Sequence, residues 1–266
     1  MILITGASGQ LASQIVTRAR QTGLAVLTAS RSPDADRQMD FDRPEKLDFT
    51  GVETLFLTSA GYAEDDVVIR RHGAVLAAAC AQGVQRIIYT SLSHASDHLA
   101  FALAHRWTER EIRGSGMAWS ILRNGLYAEL IGALAAPRDG RIETPFGQSR
   151  ISAVARADLA EAALAVLADP ASHAGRCYEL SGTTAFSIPE LAARIGVPYE
   201  PVVLGRQRQQ LSTLPLLPFQ PPMLMSIFSV AAAGFLEAET TDLKALVPQP
   251  LDALEIACAV AQQSAQ

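Results

Sequence analysis

The sequence predicts an α/β fold: a doubly wound parallel sheet with a smaller appended C-terminal part. Three observations predict it. Strand-like and helix-like segments alternate through the first half of the chain. The strand-like segments are near-continuously apolar, as strands covered on both faces must be. The first of them runs straight into a glycine turn and a helical pattern, "MILITGASGQLASQIV" over residues 1–16. A sheet of this kind carries its ligand crevice at the carboxyl ends of its strands.

The elements follow in order. Ile2–Thr5 reads as a strand, and Leu11, Ala12, Ile15, Val16 and Ala19 then recur at helical spacing up to Gly23, a natural stop. "LAVLTAS" (24–30) and "ETLFLTS" (53–59) are buried strands, with "RQMDFD" between them as a brief third strand on a reduced crossover. "DVVIRRHGAVLAAACAQG" (66–83) is a helix, "VQRIIYT" (84–90) a strand, "FALAHRWTEREIRG" (101–114) a helix and "MAWSILR" (117–123) a strand. Farther on, Asp158 and Glu161 are spaced as a capping pair at the start of "DLAEAALAVLADP", and Ser187 and Glu190 as a capping box before a helix ending at Gly196. "RCYELSG" (176–182) is a late strand, and 205–222, with four prolines, is a connector. The doubly wound core is expected over residues 1–130, with 150–182 returning to it, and 183–266 are expected to form mainly the smaller part.

The opening turn has the pattern G-x-x-G-x-x-A at Gly6, Gly9 and Ala12. An ordinary strand-to-helix turn needs one glycine. Two, with a small residue at the third place, give a sharp turn, close approach of a pyrophosphate and close helix packing. At the end of the second strand stands Arg31 in "TASRSPD", with no carboxylate before Asp34. An acidic residue there would hold a ribose 2′-OH; an arginine accommodates a 2′-phosphate, so the cofactor expected is NADP(H). The alternative for Arg31 is a solvated surface side chain.

Composition sets outer bounds. Of 266 residues, 49% are hydrophobic and 18% charged, which reads as globular, and the net charge of -5 argues against a general nucleic-acid binder. Ile2–Thr5 meets Gly6 too soon for a secretory h-region, so a cytoplasmic protein is expected. The most apolar run, 223–236, has 14 residues, short for a membrane span. It reads equally as lining of a pocket, an oligomer contact that would make a homodimer, or a buried helix. Cys80, Cys177 and Cys258 form neither a disulfide framework nor a zinc pattern. Cys80, within "AAACA", and Tyr89 read as core residues.

"TGASGQLA", "YTSLSHAS" (89–96), "HRWTE" (105–109) and "LRNGLY" (122–127) come in an order that resembles the NmrA-like atypical short-chain dehydrogenases. The likeness is greatest to the branch of quinone and triphenylmethane reductases, and "VARADLAEAALAVL" and "YELSG" extend it over nearly the whole chain. It implies a Rossmann-type core that binds NADP(H), with 183–266 mainly the smaller C-terminal substrate-pocket part that closes over the nicotinamide. By the same resemblance Gly6, Ser8, Gly9, Gln10 and Leu11 match the pyrophosphate loop and Arg31 the 2′-phosphate contact. Thr58 and Ser59 match the adenosine and ribose side, Ser91 the loop near the nicotinamide, and Asn124, Gly125 and Tyr127 the segment that flanks the nicotinamide and shapes the acceptor pocket.

Ordinary short-chain dehydrogenases activate a tyrosine with a lysine in Tyr-x-x-x-Lys. Here the two lysines, Lys46 and Lys244, have Asp42 and Thr240 four residues before them. The dyad is absent, which disfavours carbonyl reduction by an activated tyrosine and sugar-nucleotide epimerase chemistry. A quinone or similar conjugated small molecule can take hydride directly, and its hydroquinone anion is protonated by water or a weak acid. By the resemblance, His105 stands near the point where lysine-bearing relatives of the isoflavone reductase-like branch place their lysine, which makes it the candidate proton or hydrogen-bond donor; a helix histidine that merely orders the loop is the alternative. His94 and His98, four apart, lack a third ligand, and no metal site is expected. The reading is therefore a hydride-transferring reductase with catalytic candidates His105, Tyr127 and Asn124, against a non-catalytic NADP(H)-binding redox sensor.

Overall fold

The computed structural model describes residues 1–60 and 63–264. The first half runs β1 (Ile2–Thr5), α1 (Gln10–Gln21), β2 (Val26–Ser30), β3 (Arg37–Gln38), β4 (Thr54–Leu57), α2 (Asp65–Ala81), β5 (Arg86–Leu92), α3 (Ala102–Gly114) and β6 (Ala118–Asn124). The second runs α4 (Ala128–Leu134), β7 (Arg150–Ile151), α5 (Arg156–Ala168), β8 (Arg176–Leu180), β9 (Phe186–Ser187), α6 (Ile188–Ile195), α7 (Leu204–Leu211), α8 (Gln220–Ala232), α9 (Leu243–Leu246) and α10 (Ala253–Ser264).

Seven strands form one sheet in the order β3-β2-β1-β4-β5-β6-β8, a Rossmann-type arrangement flanked by helices. The pairs β1–β2, β1–β4, β2–β3 and β4–β5 are parallel, with Ile2 opposite both Val26 and Thr54. Strand order reverses between β1 and β4, so Gly6 and Thr58, each following its strand, stand at the crevice such a reversal creates. The apolar runs are the reason for this burial: Leu3, Leu55, Leu57, Ile87 and Tyr89 are fully buried in one cluster with Phe49 and Val75. Helix α1 buries the five residues its spacing picks out, Leu11, Ala12, Ile15, Val16 and Ala19.

Both edges of the sheet are closed. At one, β3 has only Arg37 and Gln38, and the Arg37 guanidinium donates to Asp48 O and Thr50 O. At the other, the Glu179 backbone of β8 is taken up by Asp242: Glu179 N–H donates to Asp242 Oδ2, and Asp242 N–H to Glu179 O.

The chain divides into two compact units. The first comprises Met1–Leu92, Leu103–Arg123 and Leu159–Tyr178; the second comprises Ser93–Ala102, Asn124–Asp158 and Glu179–Gln266.

Several local expectations hold and others change. The Ser187–Glu190 capping box is present, and its helix ends on Gly196 at φ +76°. Asp158 is not a cap: α5 begins two residues earlier, and Asp158 Oδ2 instead accepts the Leu251 N–H. The connector is interrupted by α7, because its prolines begin only at Pro215, beyond that helix. Cys80 is exposed rather than core, since it falls outside the face of α2 that buries Val68, His72, Val75, Leu76 and Ala79, with Sγ toward Ser115 O. The apolar run 223–236 falls in and after α8, and no helix of the described residues is long and apolar enough to cross a membrane.

Candidate active site

The first unit holds the glycine turn. Gly6 lies at φ +64°, a conformation that side-chain-bearing residues rarely adopt. Ala7 N–H donates to Ala29 O, and Gly9 N–H closes the turn on Gly6 O at 2.8 Å. A Cβ built on Gly9 would stand 3.1 Å from Gly6 O. Gly9 is also the N-cap of α1; no side chain caps the helix and no acidic residue lies in its first turn. The positive end of the helix dipole is therefore not neutralised from within. Ser8, Gly9 and Gln10 are exposed, whereas Leu11 turns into the core.

The segment after β4 forms the facing wall. Three successive N–H groups are taken by three buried side chains: Thr58 N–H by Thr5 Oγ1, Ser59 N–H by Thr90 Oγ1 and Ala60 N–H by His72 Nε2. The backbone is thus fixed, yet Thr58 Oγ1 and Ser59 Oγ are buried and have no hydrogen-bond partner. Buried polar atoms are nearly always satisfied, so a pair left open beside a glycine cradle fits a polar ligand lying there. Arg31, just past β2, is exposed; its carbonyl accepts from Gln38 Nε2.

Behind β5 lies a polar core. Because His72 Nε2 accepts, its proton is on Nδ1, which donates to Thr108 Oγ1 at 2.8 Å; Thr108 Oγ1 in turn donates to Ala104 O. Burial drives the His72 pKa down to about 3, helped by the charges of His105 and Arg71. Tyr89 Oη meets His105 Nδ1 at 2.8 Å. Burial also takes His105 down to about 4 and pushes the Tyr89 phenol up. His105 is therefore a neutral imidazole at physiological pH, not the half-protonated one an unperturbed pKa would give.

Ser91 lies inside β5, not in the loop beyond it, and its hydroxyl donates to Glu109 Oε1 at 2.6 Å. Glu109 is 1% exposed and sits among Arg106, Arg113 and Arg123, with contacts of 2.7, 3.2 and 2.7 Å. Burial alone would raise its pKa, but bonds from Arg123 and Ser91 and the charges of Arg106 and Arg123 hold it at about 2. Arg106 also donates to Leu92 O at 2.8 Å, so the carboxylate organises the end of β5. Neither His72 nor this ion cluster is singled out by the sequence. Arg106 and Glu109 are three apart on a helix, a spacing that usually marks a solvated face.

In the second unit, Asn124 closes β6 and is buried, and its carbonyl accepts from Ser93 N–H. Gly125 donates to Leu180 O, and a Cβ there would meet Ser181 Cα at 3.2 Å and Ser152 O at 3.3 Å. Tyr127, the N-cap of α4, is half-buried under the Arg156 guanidinium, 4.5 Å from its ring centre. Burial raises its pKa, so it is a neutral phenol. His94 and His98 diverge: His94 Nδ1 bonds Asp97 Oδ2, while the His98 ring stacks on Phe235. Among the described residues no group of three metal-binding side chains assembles.

A parallel sheet with a glycine cradle at its switch point defines a dinucleotide-binding α/β protein. The chain matches the model of the NAD(P)H-binding family over residues 6–170, and it belongs to that family. It is 38% identical over 213 residues to quinone oxidoreductase 2 of Escherichia coli, a match covering 73% of each chain. The structure of an NADPH-dependent quinone oxidoreductase from E. coli complexed with NADPH superposes with a TM-score of 0.87 at 31% identity, covering 98% of this chain and 99% of the other. Triphenylmethane reductase of Citrobacter sp., complexed with NADP(H), gives a TM-score of 0.89 at 24% identity over 97% and 99%, a likeness of fold.

Proposed function

We propose that this protein is an NADPH-dependent oxidoreductase that transfers hydride to a quinone or a similar conjugated small molecule, without a Tyr-x-x-x-Lys dyad. The observation that carries the reading is the 38% identity to quinone oxidoreductase 2, over 213 residues. The open hydroxyls of Thr58 and Ser59 and the uncapped α1 support the cofactor part.

NADPH, when bound, supplies the hydride. Ser8, Gln10 and Leu11 would offer backbone N–H groups to its pyrophosphate, Gly6 and Gly9 would supply the turn and the room for it, Arg31 would hold its 2′-phosphate, and Thr58 and Ser59 its adenosine side. Ser91 sets the end of β5 through Glu109. Asn124, Gly125 and Tyr127 flank the nicotinamide and orient the acceptor. Positioning of the two reactants then carries most of the rate, an effect worth roughly 7–11 kcal/mol. With a pKa near 4, His105 acts as a hydrogen-bond donor to the reduced oxygen rather than as an imidazolium, and water delivers the proton. Residues 183–266 supply mainly the acceptor pocket. A cytoplasmic setting fits three cysteines that are all free thiols.

The test is NADPH oxidation against a panel of quinones, with 4-deuterated NADPH in single turnover. Turnover with a primary isotope effect is expected. Tight NADPH binding with no oxidation by any quinone at any pH would instead leave a cofactor-binding sensor.

A further inference from the structure

Among the described residues, four buried side-chain oxygens lack a partner: Thr58 Oγ1, Ser59 Oγ, Thr144 Oγ1 and Gln207 Oε1. The first two belong to the cofactor wall. The other two lie in the second unit.

The chain brings Thr144 and Gln207 to one corner. Residues 142–144 run beside 198–202: Ile142 N–H donates to Pro198 O, Glu200 N–H to Ile142 O, and Val202 N–H and the Tyr199 hydroxyl both to Thr144 O. That strip leads directly into α7, where Arg206 pairs with Glu143 at 2.8 Å. Thr144 and Gln207 are thus each the chain neighbour of one member of that ion pair, and both point inward, 5% and 8% exposed.

Helix α7 turns one polar side chain inward, while Arg206, Arg208 and Gln209 stay exposed. It buries Gln207 and Leu211 on one face, while Leu204 is 40% exposed and Val203, its N-cap, 74% exposed. Two residues beyond Thr144, Phe146 is buried edge-on to Phe228 of α8, with 4.8 Å between ring centres. A few open polar groups in apolar surroundings are the composition of a small-molecule site.

We infer that Thr144 and Gln207 form a polar subsite for the acceptor, and that the acceptor class is a quinone bearing an N–H or O–H substituent beside a carbonyl. The chemistry of the two atoms decides this. Thr144 Oγ–H can donate to a quinone carbonyl. Gln207 Oε1 can only accept, and an unsubstituted quinone, which has no donor, leaves it unpaired. A site built to bond such a group rejects the analogue that lacks it. The inference rests on the quinone reading above.

The probes are 2-amino-1,4-naphthoquinone and its near-isostere 2-methyl-1,4-naphthoquinone. Each is titrated calorimetrically into protein saturated with NADP+, where no hydride can move. The wild type is expected to bind the amino compound about ten-fold more tightly, equivalent to about 1.4 kcal/mol. Gln207→Leu should erase that preference. Thr144→Val should weaken both compounds about ten-fold, and Thr144→Ser, which keeps the hydroxyl, should restore them. Equal binding of the two quinones by the wild type, or a preference that survives in Gln207→Leu, overturns the subsite. If NADPH oxidation fails with every quinone while the binding preference stands, the subsite is upheld and the turnover reading falls. Oxidation of quinones without any binding preference upholds turnover and removes the subsite.

Discussion

The Nε2 atom of His72 accepts the backbone N–H of Ala60 at 2.9 Å, and this bond fixes the proton of a buried histidine. The imidazole can hold the segment after β4 only while neutral. The folded state keeps His72 at about 3 and His105 at about 4, against 6.5 when unperturbed. Between those values the unfolded chain binds protons that the folded chain refuses, so stability is full above pH ~6.5 and falls as the medium is acidified toward 4 and below. Glu109, held at about 2 against 4.5, adds a loss of the same sign below pH ~4.5. Urea unfolding from pH 7 to 4.5 should show a slope near two protons. His72→Gln should remove about one of them, and an unchanged slope would mean that His72 charges freely in the folded protein.

Replacing Glu109 by glutamine keeps the shape but leaves Arg123 and Arg106 without their buried counter-charge. Breaking a buried ion cluster from one side costs about 3–5 kcal/mol, and chemical denaturation of Glu109→Gln should show a loss in that range. A change below ~1 kcal/mol would mean that the arginines find solvent instead.

Arg31→Ala should weaken NADPH binding ten-fold or more, as expected when a charge-assisted contact worth about 1.5–3 kcal/mol is lost, with NADH nearly unaffected. Since Arg31 is exposed, the NADPH advantage should also shrink with added salt. Equal losses for both cofactors, measured as dissociation constants, would remove Arg31 from the 2′-phosphate.

Gly9→Val separates fold from binding. Gly9 has φ -79° and ψ 158°, which any residue adopts, so the backbone does not require glycine there. The added side chain starts 3.1 Å from Gly6 O, on the cradle itself. The variant should retain its circular dichroism spectrum and lose NADPH binding; unchanged affinity in a folded variant would place the pyrophosphate elsewhere.

How much of this is legible in the sequence depends on how local the signal is. The strands of the sheet show as apolar runs because both their faces are covered, and the box Ser187–Glu190 because capping is a three-residue affair. Asp158 has the same spacing to Glu161 but is drawn away by Leu251, 93 positions along the chain. His72 sits unannounced in an amphipathic helix, since only the fold brings Ala60 and Thr108 to its two nitrogens. Glu109 is equally hidden: Arg106 is on its own helix, but Arg123 arrives from a strand. Thr144 and Gln207 carry no motif at all, and what singles them out is a missing partner, which no sequence displays.

The closed sheet edges have a consequence for the protein in quantity. Open edge strands are templates onto which a second copy adds its own strand, the first step toward aggregation. Here one edge offers two residues, one of them the tethered Arg37, and the other has Glu179 of its strand engaged by Asp242. Concentrated stocks should therefore be spared polymerisation through strand pairing, and Asp242→Ala, which frees the Glu179 N–H, is the change that should make light scattering rise on storage.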